Sequence, residues 1–148
     1  MIGKIATRVL QRRPYSEIEP RIAPLVTAMN LHRVSETTAS CEGHLSGRAP
    51  YVYFACHPIL AARMEKCLRE PGESPDGVLH FSWQITGTFN ESYEPTYLLR
   101  SCQLDRASNS VFWLLGCYLH RARMDLSVLA PLMGNIIDRY CFEIEYQK

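Results

Sequence analysis

No stretch of this sequence approaches the roughly 20 consecutive apolar residues that a membrane-spanning helix needs. The opening also lacks the continuous apolar segment of a secretory signal, so the expectation is a protein that neither crosses a membrane nor leaves the cell by that route. Charge of one sign is missing too. Sixteen Lys and Arg stand against fifteen Asp and Glu, and the resulting net charge of +1 gives nucleic acid binding no support. A local exception is the acid-free opening with Lys4, Arg8, Arg12 and Arg13. Its composition would suit an organellar transit peptide, although an ordinary first element explains it with less. Neither the glycine-rich nucleotide signatures nor HExxH nor GxSxG occurs, so the common phosphate-binding, zinc-protease and serine-hydrolase readings gain no support from motifs. No internal repeat or long polar linker divides the chain.

What is present is a chain of 148 residues with 47% hydrophobic content, the size and apolar supply of one domain over 1–148. Its six cysteines, Cys41, Cys56, Cys67, Cys102, Cys117 and Cys141, would permit three disulfides in an exported protein. Without an export signal they are expected to be free thiols in a reducing, cytoplasmic setting, several of them serving as small hydrophobes.

Ser16 and Glu19 have capping-box spacing, and Ile22, Leu25, Val26 and Met29 then recur on one face, predicting a helix near 17–31 that Pro24 could delay. Residues 34–50 are rich in Ser, Thr and Gly and read as a loop before a buried strand over Tyr51–Cys56. Pro58 opens a second helix with Leu60, Met64, Cys67 and Leu68 on one face, ended by Pro71 and Gly72. After a loop over 71–77, Leu79, Phe81, Trp83 and Ile85 alternate with polar residues as a half-buried strand does. Thr96–Cys102 reads as its hairpin partner. A helix capped by Asp105 or Ser108 is predicted to carry Val111, Leu114, Leu115, Tyr118 and Leu119 on its apolar face and to end near Arg121 and Arg123. Residues 126–140 read as a further helix interrupted at Pro131 and Gly134. Phe142, Ile144 and Tyr146 alternate with Glu143 and Glu145 like an edge strand, which could pair two copies into a homodimer. The expected fold class is α+β, with about three or four helices on a small antiparallel or mixed sheet.

The densest polar cluster runs from Thr37 to His44. Ser40, Cys41, Glu42, Gly43 and His44, with Tyr51 opening the next strand, form the candidate site loop. Cys41 could act as a thiolate nucleophile with His44 as base, since a thiol needs a basic or positive neighbour to react at neutral pH. The simpler reading is a glycine-containing turn whose hydroxyls satisfy backbone groups. Two C-x2-H pairs, Cys41 with His44 and Cys117 with His120, would together supply a Cys2His2 zinc set, but they lie far apart in sequence and do not match tight zinc-site spacing, so no metal ligand is assigned. Cys56 and His57 are adjacent, and neighbours in a strand point to opposite faces. Glu17 with Glu19, and Glu143 with Glu145, are carboxylate pairs that exposed positions explain without acid–base chemistry. Tyr51, Tyr53, Trp83, Tyr93 and Tyr97 could stack bases, though aromatics on strands are more often core.

The run Ser40-Cys41-Glu42-Gly43-His44 followed by Pro50-Tyr51-Val52 resembles a motif of uncharacterised small bacterial proteins, often associated with plasmids or other mobile elements. More distantly, Ser40-Cys41-x-Gly43 ahead of a strand, helix and hairpin is similar to the Ser-Cys-Ser-Gly loop of the tRNA wybutosine-pathway methyltransferase family. Glu42 replaces that family's second serine, and His44 stands where it usually has arginine. The resemblance implies that the loop around Cys41 lines a site. Ordinary core patterning without an assembled catalytic signature makes the first expectation a small cytoplasmic binding or regulatory protein without catalysis, whose partner is a protein or small-molecule ligand. An enzyme or RNA-modifying domain using Ser40–His44 is the second and a structural zinc protein the third, with no cofactor indicated.

Overall fold

The computed structural model describes residues 17–70 and 79–148. The basic residues Lys4 to Arg13, the Ser16 cap, the Pro71 and Gly72 stop and the 71–77 loop lie outside the described residues. Within them the elements run α1 (Ala23–Met29), a 3-10 turn (Leu31–Arg33), β1 (Ser35–Cys41), β2 (Tyr51–Cys56) and α2 (Pro58–Arg69). Then come β3 (Gln84–Phe89), β4 (Pro95–Arg100), α3 (Cys102–Ala107), a second 3-10 turn (Val111–Leu115) and α4 (Cys117–Tyr146). The four strands form one antiparallel sheet in the order β1-β2-β4-β3, so the α+β expectation holds. No helix among the described residues is long and apolar enough to cross a membrane.

Strand alternation decides which sheet face is covered. Val52, Phe54 and Leu99 are at most 1% exposed and join the core with the helices, whereas Tyr53, pointing the other way, is 38% exposed. Phe54 and Tyr97 are register partners, and their rings meet at 5.6 Å. Helix α4 spans 30 residues and carries most of the apolar cover, burying Leu119, Leu126, Leu129, Met133 and Ile137 along one stripe. Helix α2 starts as its sequence predicts, with Pro58 in the first turn and the His57 ring accepting the Ile59 N–H at 3.2 Å.

Several expectations are corrected. The first helix begins at Ala23, Pro24 being tolerable only in the opening turn. The 34–50 segment contains β1 because the Asn30 side chain binds Thr37 on both sides. It donates to Thr37 Oγ1 at 2.8 Å and accepts the Thr37 N–H at 3.0 Å, and a bulge follows between Thr37 and Ala39. The alternating run at 79–83 is not a strand, since side chains take the places of strand partners. The N–H groups of His80 and Phe81 donate to Asp125 at 2.8 and 3.0 Å, and that of Ser82 donates to Gln103 at 2.8 Å. The hairpin strands are correspondingly Gln84–Phe89 and Pro95–Arg100, and Cys102 belongs to α3, capped by Ser101 rather than by Asp105 or Ser108.

The helix expected from Val111 to Leu119 breaks at Gly116, whose φ of +78° is left-handed. Trp113 alone of its first turn is buried, and Val111, Leu114 and Leu115 are exposed. Finally, α4 runs through both Pro131 and Gly134 and on through Tyr146. An interior proline costs about 3 kcal/mol, and the apolar residues buried on both sides of Pro131 outweigh that. Phe142 and Tyr146 therefore stack at helical i, i+4 spacing, 4.5 Å between ring centroids, and the strand edge invoked for a homodimer is not there.

Asp125 on α4 is fully buried and accepts from two backbone N–H groups, from Trp83 Nε1 at 2.8 Å and from the His80 ring at 3.0 Å. Replacing it by Ala orphans those donors in the interior. The Asp125→Ala protein is expected to lose about 3 kcal/mol or more of stability, read as a lower urea midpoint at unchanged slope.

Candidate functional site

The loop from Glu42 to Pro50 leaves β1, turns back on itself and re-enters the sheet as β2. Its turn is closed by the His44 N–H donating to the Arg48 carbonyl at 2.8 Å. Distant elements then hold the polar groups of its first three residues. Arg123 of α4 donates to the Gly43 carbonyl at 2.8 Å, and Trp113 Nε1 donates to the His44 carbonyl at 2.8 Å. The Arg21 N–H donates to the Glu42 carboxylate at 2.8 Å, which also lies 3.8 Å from the Arg123 guanidinium. Gly43 is required here: its φ is +85°, and an added Cβ would fall 2.7 Å from Leu119 Cδ1 and 2.9 Å from Pro50 Cδ.

Within this frame three side chains converge. The ligating atoms of Glu19, Cys41 and His44 all lie within 4.8 Å of one another, the only such group of three His, Cys, Asp or Glu residues among the described residues. His44 Nε2 is 2.8 Å from Glu19 Oε2, and the Glu42 N–H donates to Glu19 Oε1 at 3.2 Å. The Gly43 N–H donates to Cys41 Sγ at 3.4 Å. Burial pushes the Cys41 thiol above its ordinary range, and the neighbouring Glu19 carboxylate adds to the shift. Cys41 is therefore a thiol rather than a thiolate at neutral pH.

Glu19 was missed by sequence reasoning, which explained it as an exposed carboxylate at a helix start. Of the other candidates, Ser40 sits on β1 opposite Val52, and Tyr51 faces Cys41 in register with its ring edge-on to Tyr53 at 5.5 Å. The Cys117 and His120 pair does not join the three-residue group. Cys117 lines a separate cavity of about 270 Å³ beside Phe112 and Tyr118. His57 caps α2, and burial lifts the Cys56 thiol to about 11, so that pair is structural. The aromatics are dispersed, with Trp83 buried against Asp125, Tyr97 against Phe54 and Tyr93 86% exposed between β3 and β4.

Beside the three-residue group lies a cleft of about 710 Å³, whose lining includes Arg21, His44, Leu45, Leu119, His120 and Arg123. Its α4 wall consists of Leu119, His120, Arg123, Met124 and Ser127, which share one side of the helix at i, i+3 and i+4 spacings, and Gly116 just before the helix adds to the lining. No Asp or Glu lines it among the described residues. Only His44 belongs to both the cleft and the Glu19–Cys41 group. No family model, curated protein or solved structure matches this chain.

Two outcomes are expected. With iodoacetamide at neutral pH, peptide mapping should find the exposed Cys117 modified first and Cys41 and Cys56 last; fastest labelling at Cys41 would contradict the thiol assignment. Gly43→Ala, which meets both backbone strain and a clash, should lower stability by about 1–3 kcal/mol in denaturant unfolding.

Proposed function

We propose that the protein is a small cytoplasmic binding protein whose ligand is an organic anion held in the cleft between the Glu42–Pro50 loop and α4. The observation that carries this reading is the composition of the cleft wall. Two arginines and two histidines belong to a lining without carboxylates, with Glu19 against His44 and Glu42 near Arg123 outside that lining, and Leu45 and Met124 offer exposed apolar surface beside them. Such a mixture suits a ligand with an apolar body and a carboxylate or phosphate group, because a few polar groups fix orientation while apolar contact contributes affinity. The volume is of the size that takes a metabolite. The six free cysteines support a reducing compartment.

A nucleophilic Cys41 has less support. Its thiol is 1% exposed, accepts the Gly43 N–H and lies beside a carboxylate that opposes ionisation. The loop that the Ser-Cys-x-Gly resemblance singles out thus serves this reading as a wall of the site rather than as its reacting group.

Isothermal titration against a panel of nucleoside monophosphates and arylalkyl carboxylates checks the proposal. At least one member should bind saturably, with affinity that falls as salt rises. The double replacement Arg21→Ala/His120→Ala, both exposed positions, should weaken that binding by about tenfold or more while leaving the circular dichroism spectrum unchanged. Saturable binding by no member, or equal affinity in the double variant, would sink the reading.

A further inference from the structure

The geometry points to Glu19, Cys41 and His44 as a three-ligand binding site for a zinc ion, a site that shares only His44 with the lining of the neighbouring cleft. The three residues come from two distant parts of the chain and offer one sulfur, one imidazole nitrogen and one carboxylate oxygen within 4.8 Å of one another. Thiolate and imidazole together favour zinc over magnesium, calcium or manganese, which prefer oxygen ligands. A tetrahedral zinc with bonds of about 2.0–2.3 Å spreads its ligands roughly 3.3–3.6 Å apart. The 2.8 Å contact between His44 and Glu19 therefore opens by about half an ångström and the Cys41 side chain closes in.

The surroundings already contain the outer partners such a site uses. The Gly43 N–H points at Cys41 Sγ, and the Glu42 N–H points at Glu19 Oε1, leaving Oε2 for the metal. Both donors aim at the two ligands that are anionic when coordinated, and both belong to a loop tied down by Arg123 and Trp113. A loop held this way keeps His44 and the two N–H donors in place before the ion arrives, which lowers the ordering cost of binding. On coordination the Cys41 thiol proton passes to solvent, and the proton that His44 Nε2 directs at Glu19 Oε2 leaves that nitrogen, to solvent from an imidazolium or to Nδ1 through water from a neutral ring, so that the Nε2 lone pair binds the ion and Nδ1 carries the remaining proton. Three protein ligands leave a fourth position for water.

The test uses the full-length, reduced protein after removal of metal by a chelator. It is titrated with Zn²⁺ by calorimetry and with Co²⁺ by absorption. One-to-one binding is expected, with a thiolate-to-cobalt charge-transfer band that disappears in Cys41→Ser. Absence of the band in folded wild-type protein, or its survival in Cys41→Ser, would overturn the proposal. Glu19→Gln retains an acceptor for the Glu42 N–H and removes the anionic ligand, so it decides the matter even where Cys41→Ser fails to fold. It should keep the band but weaken zinc binding by more than about tenfold, and unchanged affinity overturns the three-ligand site.

Discussion

A carboxylate without solvent contact, Asp125, sets the relation between the longest helix and the rest of the chain. Burying it costs several kcal/mol unless donors surround it, and the two backbone N–H groups, the indole and the imidazole supplied by residues 80–83 meet that demand. The bonds fix α4 both along its axis and in rotation. Two residues correspond to roughly 200° around a helix, so anchoring Asp125 on one side turns Arg123 toward the opposite side. There it meets the Gly43 carbonyl and the Glu42 carboxylate. The cleft and the loop beside it inherit their positions from a polar clasp on the far face of the same helix.

The loop itself shows how a turn becomes a site. A turn needs only local hydrogen bonds, and the His44–Arg48 closure supplies one. The additional bonds from Arg21, Trp113 and Arg123 come from sequence neighbours of none of these residues, and they bring Glu19 against Cys41 and His44. Polar side chains packed this closely are mutually constraining, since removal of one partner leaves another buried without its bond.

Much of this was legible in the sequence and some was not, for identifiable reasons. Tyr51–Cys56 and Pro58–Arg69 are plain because their apolar periodicity and proline punctuation agree with local propensity. The Cys41–His44 cluster stood out by composition alone. Strand β1 did not, because its Ser and Thr residues look like loop until Asn30 and β2 give their backbone partners. The segment 79–83 has strand periodicity but spends its N–H groups on side chains some 20–45 positions away, which no local window reports. Phe142–Tyr146 has period two by accident of three aromatic and aliphatic residues, and the helix arriving from Cys117 overrides it. Glu19 was hidden for the same kind of reason, its partner His44 being 25 positions ahead. The clearest signal left unused was His120, Arg123 and Ser127, a polar stripe at helical spacing on a helix whose other side is apolar.

The Arg123 bond to Gly43 closes a chain segment of 80 residues, and the Trp113 bond to His44 one of 69. Contacts of such separation cost more chain entropy to close than local ones do. The cleft therefore exists only in molecules in which α4 and the loop have been brought together. Its ligand would select the completed molecule over every partly folded form, and so would act on the folding equilibrium as well as on the site.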